Sequence, residues 1–290
     1  MIGAGIDDAP RGAGCAAGPT VAVLGRLGGL VARLATSEVE VRAAQRLRYR
    51  VFVEECGAAR TGREMGVEAD ALDADCDHLL VIDPAREDGI VGTYRLLTQE
   101  RAAERGGFYS AAEFDVDAMV ARHPDRRFLE LGRSCVLAEY RDRRTIELLW
   151  QGIWAYALGQ GTDVMFGCVS LPGTDMAAHE AAFSILSRHF IASAEWRVAA
   201  RGQGVAISRA AQPCEVGRVG DGAANGPASR SGLRGLPPLA KGYLRLGGRV
   251  GPEAVIDEDF GCTDLMMLLP HEAISPRYIA HYGAGADRFV

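Results

Sequence analysis

From Ser37 to Cys56 the apolar positions Val41, Ala44, Leu47 and Val51 recur every three or four residues, which predicts an amphipathic helix capped by Ser37 and ended by Gly57. Its polar side is studded with arginine. The runs His78 to Asp83 and Gly89 to Leu97, divided by a polar turn containing Pro84 and Asp88, predict a β-hairpin. Phe128 to Val136 alternates apolar and polar residues like a strand, yet it places Glu130 and Arg133 inside that pattern. Thr145 to Gln160 sets Ile146, Leu149, Ile153, Trp154, Ala157 and Leu158 on one helical face. Asp163 to Leu171 reads as a strand, Asp175 to His189 as a helix, Asp264 to Leu269 as a strand and Pro276 to Tyr282 as a helix.

This order predicts an α/β fold with a mixed, mostly antiparallel central sheet flanked by helices, and not the regular alternation of a dinucleotide-binding domain. Neither G-x-G-x-x-G nor G-x-x-x-x-G-K-[ST] occurs, so phosphate loops of those kinds are excluded. The segment from Met1 to Thr20 is rich in Gly, Ala and Pro and carries Asp7 and Asp8 where a secretory signal would be positive; residues 1–36 are expected to be a disordered tail. Residues 37–290 are expected to form one domain, with a flexible insertion at about 212–231, where large apolar side chains are almost absent.

Composition narrows the function. A chain of 290 residues with 48% hydrophobic content can bury a large core, and its net charge of −6 argues against general nucleic-acid binding. An anionic partner would need a local basic patch. Seven scattered cysteines without a C-x-x-C pair suggest no zinc site or redox dithiol and fit a reducing cytoplasm. No apolar run approaches the roughly 18 residues of a membrane span.

The candidate chemistry centres on Phe128 to Val136 and the basic run Arg141-Asp142-Arg143-Arg144. Glu130 and Arg133 are three apart in a strand, so they are expected on opposite faces and not as one ion pair. A carboxylate desolvated at a sheet centre can serve as a general base, and the arginine can hold a carboxylate or phosphate. Arg143 and Arg144 fall at the start of a helix, where an anion could meet both guanidiniums and backbone N–H groups; they could equally be solvated and pair with Asp142, Glu139 or Glu147. Other readings stay open. Asp73, Asp75, Asp77 and His78 could ligate a metal or form a solvated acidic loop, without EF-hand spacing. Cys135 could be a nucleophile with His78 or His123 as base, or a small buried residue. Trp150, Trp154, Phe166 and Phe183 could line an acyl tunnel or belong to the core.

Several stretches resemble a known family in their order. Arg48-Tyr-Arg-Val-Phe, the run Asp70 to Val81, Val91-Gly-Thr-Tyr-Arg95-Leu-Leu and Leu129-Glu130-Leu-Gly-Arg133 are similar to the acyl-homoserine-lactone synthases, GNAT-fold enzymes that use acyl-carrier protein. Gly107-Phe-Tyr-Ser, Leu149-Trp-Gln-Gly, Phe166-Gly-Cys168 and Pro237-Pro-Leu-Ala-Lys241-Gly-Tyr-Leu-Arg245 look closer to their relatives, the L-ornithine Nα-acyltransferases of ornithine-lipid synthesis. The resemblance covers about residues 40 to 285. It implies a GNAT-like fold and direct aminolysis of a thioester, with no cofactor beyond the carrier-bound phosphopantetheine that brings the acyl group. It further implies Glu130 and Arg133 as the catalytic pair. Arg48, Asp73, Asp77 and Arg95 would contact the acceptor, L-ornithine. Ser134, Cys135, Val136, Arg141, Arg143, Arg144, Lys241 and Arg245 would serve the phosphopantetheine and its acyl-carrier protein.

The GNAT pyrophosphate pattern Q/R-x-x-G-x-G/A is missing, and Arg141 to Ile146 contains no glycine. A pyrophosphate needs close backbone approach, whereas a single phosphate can be met by arginines, so the departure favours a protein-bound donor. The synthases carry a tryptophan soon after their Val-Phe pair, and Val51 to Arg60 has none. A lactone synthase-like enzyme and a non-catalytic carrier-binding protein remain the alternatives. The amphipathic product suggests peripheral contact with the inner membrane face, and Arg42, Arg46 and Arg50, four apart, could meet anionic lipid there.

Overall fold

The computed structural model describes residues 22–59, 65–207, 233 and 236–283. Among these residues nine strands form one sheet: β1 (Val23–Leu27), β2 (Leu30–Leu34), β3 (Asp77–Ile82), β4 (Ile90–Thr98), β5 (Phe128–Val136), β6 (Val164–Pro172), β7 (Val205–Ala206), β8 (Arg249–Asp257) and β9 (Cys262–Pro270), in the order β1-β2-β3-β4-β5-β6-β9-β8-β7. Neighbours are antiparallel except β5 and β6, which run parallel. The helices are α1 (Glu38–Arg48), α2 (Gln99–Arg105), α3 (Val116–Arg122), α4 (Arg143–Gly159), α5 (Glu180–His189), α6 (Pro238–Leu246) and α7 (Pro276–Gly283).

Strand alternation divides the apolar residues between two cores. Leu129 and Leu131 of β5, with Leu265, Met267 and Leu269 of β9, enter the larger core beneath α1, α4, α5 and α6. Phe128 of β5 and Met266 and Leu268 of β9 enter the smaller one, closed by Ala102, Phe108, Phe114 and Met119. Glu130, in step with Phe128, therefore points toward the smaller core.

Three expectations change. Residues 1–36 are not one tail: 1–21 lie outside the described residues, but β1 and β2 form a hairpin that adds two strands to the sheet edge. Gly28 turns it with a φ of +62°, and Ala32 is fully buried in the larger core. Short strands on a sheet edge become stable only once a helix covers them, and α4 does so: a Cβ on Gly25 would meet the Leu148 and Gln151 side chains. The expected helix from Ser37 to Cys56 begins as stated, with the Ser37 side chain accepting from Glu40 N–H, but widens to a π-helix over Tyr49–Glu55. The strands β7 and β8 and helices α2, α3 and α6 join the expected set. The insertion expected at 212–231 lies outside the described residues.

β5 and β6 pair only over Phe128–Glu130 and Val164–Phe166. Beyond that they part, leaving a wedge between Leu131–Val136 and Gly167–Pro172. At its apex a Cβ on Gly167 would sit 2.2 Å from the Leu131 carbonyl oxygen, so only glycine allows the backbones to approach there. One residue further, a Cβ on Gly132 would meet nothing within 4 Å.

Candidate active site

The wedge is bordered by a bulge in β5. Thr93 faces Cys135 and Arg95 faces Gly132, so Tyr94 alone opposes Arg133 and Ser134. Arg133 takes the left-handed conformation, with φ of +50°, an arrangement a side chain adopts only when its surroundings hold it. The surroundings are four carboxyl-bearing or aromatic partners. Arg133 Nε donates to Glu68 Oε1 (3.2 Å), Nη2 donates to Asp70 Oδ2 (3.3 Å) and to the Tyr109 hydroxyl (3.2 Å), and the guanidinium lies 4.7 Å from the ring centres of both Tyr109 and Phe260. A regular strand would send Arg133 to the face opposite Glu130. The bulge instead brings both residues to one segment: Glu130 accepts from the backbone N–H of Tyr109 (2.7 Å) and Ser110 (2.8 Å).

Glu130 is buried, and burial pushes its carboxyl above the ordinary range despite the two backbone donors. Each oxygen already holds an N–H, so the carboxylate fastens the Tyr109–Ser110 turn to the sheet.

Arg48, Asp73 and Arg95 meet in the same network. Arg48 has no exposed surface; it pairs with Glu68 Oε2 (2.6 Å) and Asp73 Oδ1 (2.6 Å), and donates to the Glu68 carbonyl (2.6 Å). Arg95 pairs with Asp70 (2.6 Å) and Asp73 (3.3 Å). Burial would raise the Asp73 carboxyl, but Arg48 and Arg95 hold it well below the usual carboxylate range. Three arginines and three carboxylates thus neutralise one another, which is what makes their burial tolerable. Arg48, Arg95 and Asp73, expected to touch the acceptor, are spent on this framework. Asp77 stands apart, bonded to Arg101 (3.0 Å) and the Tyr156 hydroxyl (2.6 Å).

The other readings of this stretch resolve similarly. Asp73, Asp75 and Asp77 each have a separate arginine, Asp75 pairing with Arg105 (2.8 Å), and His78 Nε2 lies 3.0 Å from the Asp73 carbonyl. They do not converge on a common point. Cys135 is buried, burial pushes its thiol far up, and its charged neighbours are Arg48, Glu68, Arg141 and Glu55. His78 is held by the Asp73 carbonyl, and His123 lies stacked on Trp196, 3.8 Å between ring centres. Trp150, Trp154 and Phe183 belong to the larger core and Phe166 to the smaller; Trp150 and Trp154 also line a small apolar pocket with Met165, Leu246 and Leu269.

Two further groups stand outside the expected site residues. At the β6 border of the wedge, Glu113, Cys168 and Asp264 bring their carboxylate and thiol atoms within 4.8 Å of one another, and Asp257 and Cys262 do the same with Asp264. Cys168 Sγ donates to Glu113 Oε2 (3.8 Å) and Cys262 Sγ to Asp264 Oδ1 (3.3 Å). Among the described residues no cation pairs with Glu113, Asp257 or Asp264. Burial, then the charges of Asp264 and Asp257, push Glu113 up to about 7; burial also raises Asp264. The cluster draws on the 109–113 turn, β6, the end of β8 and the start of β9, which are remote in sequence.

The second group is aromatic. The Tyr94 and Tyr243 hydroxyls lie 3.3 Å apart, with Ser134 also bonded to Tyr94. Burial pushes Tyr94 up to about 12 and Tyr243 well above its usual value, so both remain protonated phenols. Tyr243 stands on α6 against Trp150, 4.7 Å between ring centres. Tyrosine within Lys241-Gly242-Tyr243 was the available signal, though nothing in the spacing marks its neighbour Tyr94.

The residues expected to meet the donor separate in the same way. Ser134, Cys135 and Val136 lie on β5 along the wedge, where its edge has no β6 partner. Arg141 bonds the Val136 carbonyl (2.9 Å) and pairs with Glu55. Arg143 is 90% exposed and 3.7 Å from Glu147, and Arg144 is exposed. The start of α4 is less open to an anion than expected, because Asp142 caps it, accepting from Thr145 N–H (2.9 Å). Any phosphate there would be met by side chains. Lys241 is half-buried and Arg245 exposed on α6. No helix among the described residues is long and apolar enough to cross a membrane.

Comparison with known proteins agrees with this architecture. Residues 47–151 match the acetyltransferase (GNAT) domain model. The chain is 48% identical to an L-ornithine N(alpha)-acyltransferase of Agrobacterium fabrum over 92% of its length and 89% of the relative's. It is 48% identical to one of Rhizobium meliloti, over 94% and 90%, and 47% identical to one of Brucella abortus, over 92% and 94%. The protein is an N-acyltransferase of GNAT fold, and the chain belongs to the L-ornithine Nα-acyltransferase family.

Proposed function

We propose that this enzyme transfers a 3-hydroxyacyl chain from acyl-carrier protein to the α-amine of L-ornithine, forming the lyso-lipid from which ornithine lipid is made. The relatives' names support ornithine as acceptor. The single structural observation that carries the reading is the acidic cluster beside the wedge. No cation among the described residues forms an ion pair with Glu113, Asp257 or Asp264, so they favour an acceptor with an ammonium to spare. Ornithine has two amines, and one remains charged after the other is acylated.

The donor enters along the wedge. Its thioester carbonyl lies beside the unpaired edge of β5, where backbone N–H groups of Ser134 to Val136 stabilise the oxyanion. The amine attacks, the C–S bond breaks, and the Tyr243 hydroxyl supplies a proton to the departing thiolate. The exposed Arg141, Arg143, Arg144 and Arg245, with Lys241, form a cationic rim for the pantetheine phosphate and an acidic carrier surface. Arg133 marks the acceptor side and fixes the 109–113 turn through Tyr109. The product is amphipathic, and peripheral contact with the inner membrane face would give it a way out.

The test is to incubate the purified protein with 3-hydroxyacyl-carrier protein and ornithine and to detect the amide by mass spectrometry. The expected result is an Nα-acyl product formed from the carrier thioester in preference to the same acyl-coenzyme A. Product with another amine but none with ornithine would overturn the acceptor. Equal use of coenzyme A would overturn the donor.

A further inference from the structure

We infer that Glu113, and not Glu130, is the general base that takes the proton from the attacking amine. The inference rests on the acylation of an amine proposed above and assigns the proton transfer within it. Its basis is the placement of the two carboxylates. Glu130 sits within the sheet and each of its oxygens holds a backbone N–H, from Tyr109 and Ser110. A base in that position would have to give up the bonds that anchor the turn before it could reach a substrate.

Glu113 ends the same turn, its backbone N–H donating to the Ser110 carbonyl (3.1 Å), so Glu130 indirectly places it. It is partly exposed, and its Oε2 takes only the weak thiol contact of Cys168 at 3.8 Å, while Oε1 accepts no hydrogen bond from a described residue. Cys168 lies on β6 one residue past the apex at Gly167, where the parting strands admit the thioester. The base is thus held at the β6 border of the wedge, beside the acids that match the acceptor's charge. Its neighbours are Asp264 on β9, Asp257 at the end of β8 and Arg133 on β5. Two acids against one arginine already committed to Glu68 and Asp70 make the ionised form of Glu113 a ready proton acceptor.

The step balances within the groups named. The amine nitrogen bonds to the carbonyl carbon, and Glu113 takes a proton from that nitrogen. Collapse of the adduct breaks the C–S bond, whose electron pair leaves on sulfur. Sulfur gains the Tyr243 proton, and solvent receives the proton from Glu113 and restores that of Tyr243. Asp264 and Asp257 are left to hold the distal ammonium. Burial and those two acids place the Glu113 carboxyl near 7, matched to work at neutral pH.

The experiment measures kcat and KM for ornithine across pH 5.5 to 9, roughly the range in which such a base titrates, in the wild-type chain, E113Q and E113D, with 3-hydroxyacyl-carrier protein as donor. In the wild type, kcat/KM should rise with pH through a limb near 7. E113Q should lose at least about 100-fold in kcat and lose that limb, with KM for ornithine changed by less than about threefold, and E113D should recover part of the rate. Retention of the limb in E113Q, or an effect confined to KM, would overturn the assignment and leave Glu113 as a binding residue. If E113Q does not fold, a wild-type profile without a limb between about pH 6 and 8 overturns it as well. Failure of the wild type to acylate ornithine tells against the acceptor instead, and the same profiles are then read with the amine that it does acylate.

Discussion

Replacing Glu130 by glutamine separates anchoring from chemistry. The carboxylate accepts Tyr109 N–H at 2.7 Å and Ser110 N–H at 2.8 Å, one on each oxygen. A glutamine offers one oxygen and one NH2 group, so one backbone donor would face another donor. Losing a hydrogen bond to a charged group is worth about 1.5–3 kcal/mol, and the buried N–H left unsatisfied adds about 1–3. Against this, the neutral amide escapes the desolvation that burial imposes on Glu130, which is why its carboxyl is raised in the first place. The net expectation is a destabilisation of about 2–4 kcal/mol, centred on the 109–113 turn. Urea titration at pH 7 measures the global part, with an unchanged m-value and a lower midpoint. Limited proteolysis between Gly106 and Phe114 measures the local part, since the released turn should be cut faster. If E130Q keeps the wild-type midpoint and protection yet loses turnover, Glu130 acts on the substrate and the anchoring argument fails.

Gly167→Ala should place a methyl 2.2 Å from the Leu131 oxygen, where ordinary contact begins at 3.4 Å, so the strands must move apart by more than 1 Å. A loss of about 1–3 kcal/mol in urea denaturation, with reduced turnover, is expected, and a fully stable, fully active variant would show that the apex is not this tight. Cys135→Ala should retain turnover, because the thiol is buried and protonated; its inactivity in a folded protein would revive a covalent mechanism. The folded protein binds the Glu113 proton more tightly than the unfolded chain, so this group's contribution to stability is largest below pH 4.5 and is lost as pH rises through about 7. E113Q should therefore show a shallower fall in urea midpoint over that window, and an unaltered slope would contradict the raised carboxyl.

The sheet and its main helices were legible because burial imposes a period on the sequence. Alternation marked Phe128 to Val136 as a strand, and the three-and-four spacing of Ile146 to Leu158 marked α4. The edge hairpin at 22–36 was hidden because its glycines and short strands read as loose chain, and what orders it is the cover of α4. Glu130 and Arg133 were visible as charges out of place in an apolar strand. Their relation was not, since a one-residue bulge reverses the face of everything beyond it and no pattern announced that Arg133 would adopt positive φ.

The sequence by itself determined which segments are strands and helices, the family and the cationic start of α4, because each of these is written in neighbouring residues. Tertiary structure alone decided how the charges are shared out. Arg48, Arg95 and Asp73 look like ligands for a zwitterion when read in line, but folding closes them with Glu68, Asp70 and Arg133 into a neutral buried network. Glu113 and Asp264, about 150 residues apart, have no common signal in the chain and come within 4.8 Å only once the sheet is assembled, with Asp257 beside Asp264. The reason is physical: an ion pair or a shifted proton affinity depends on distance and local dielectric, and for residues far apart in sequence both exist only after the sheet is assembled.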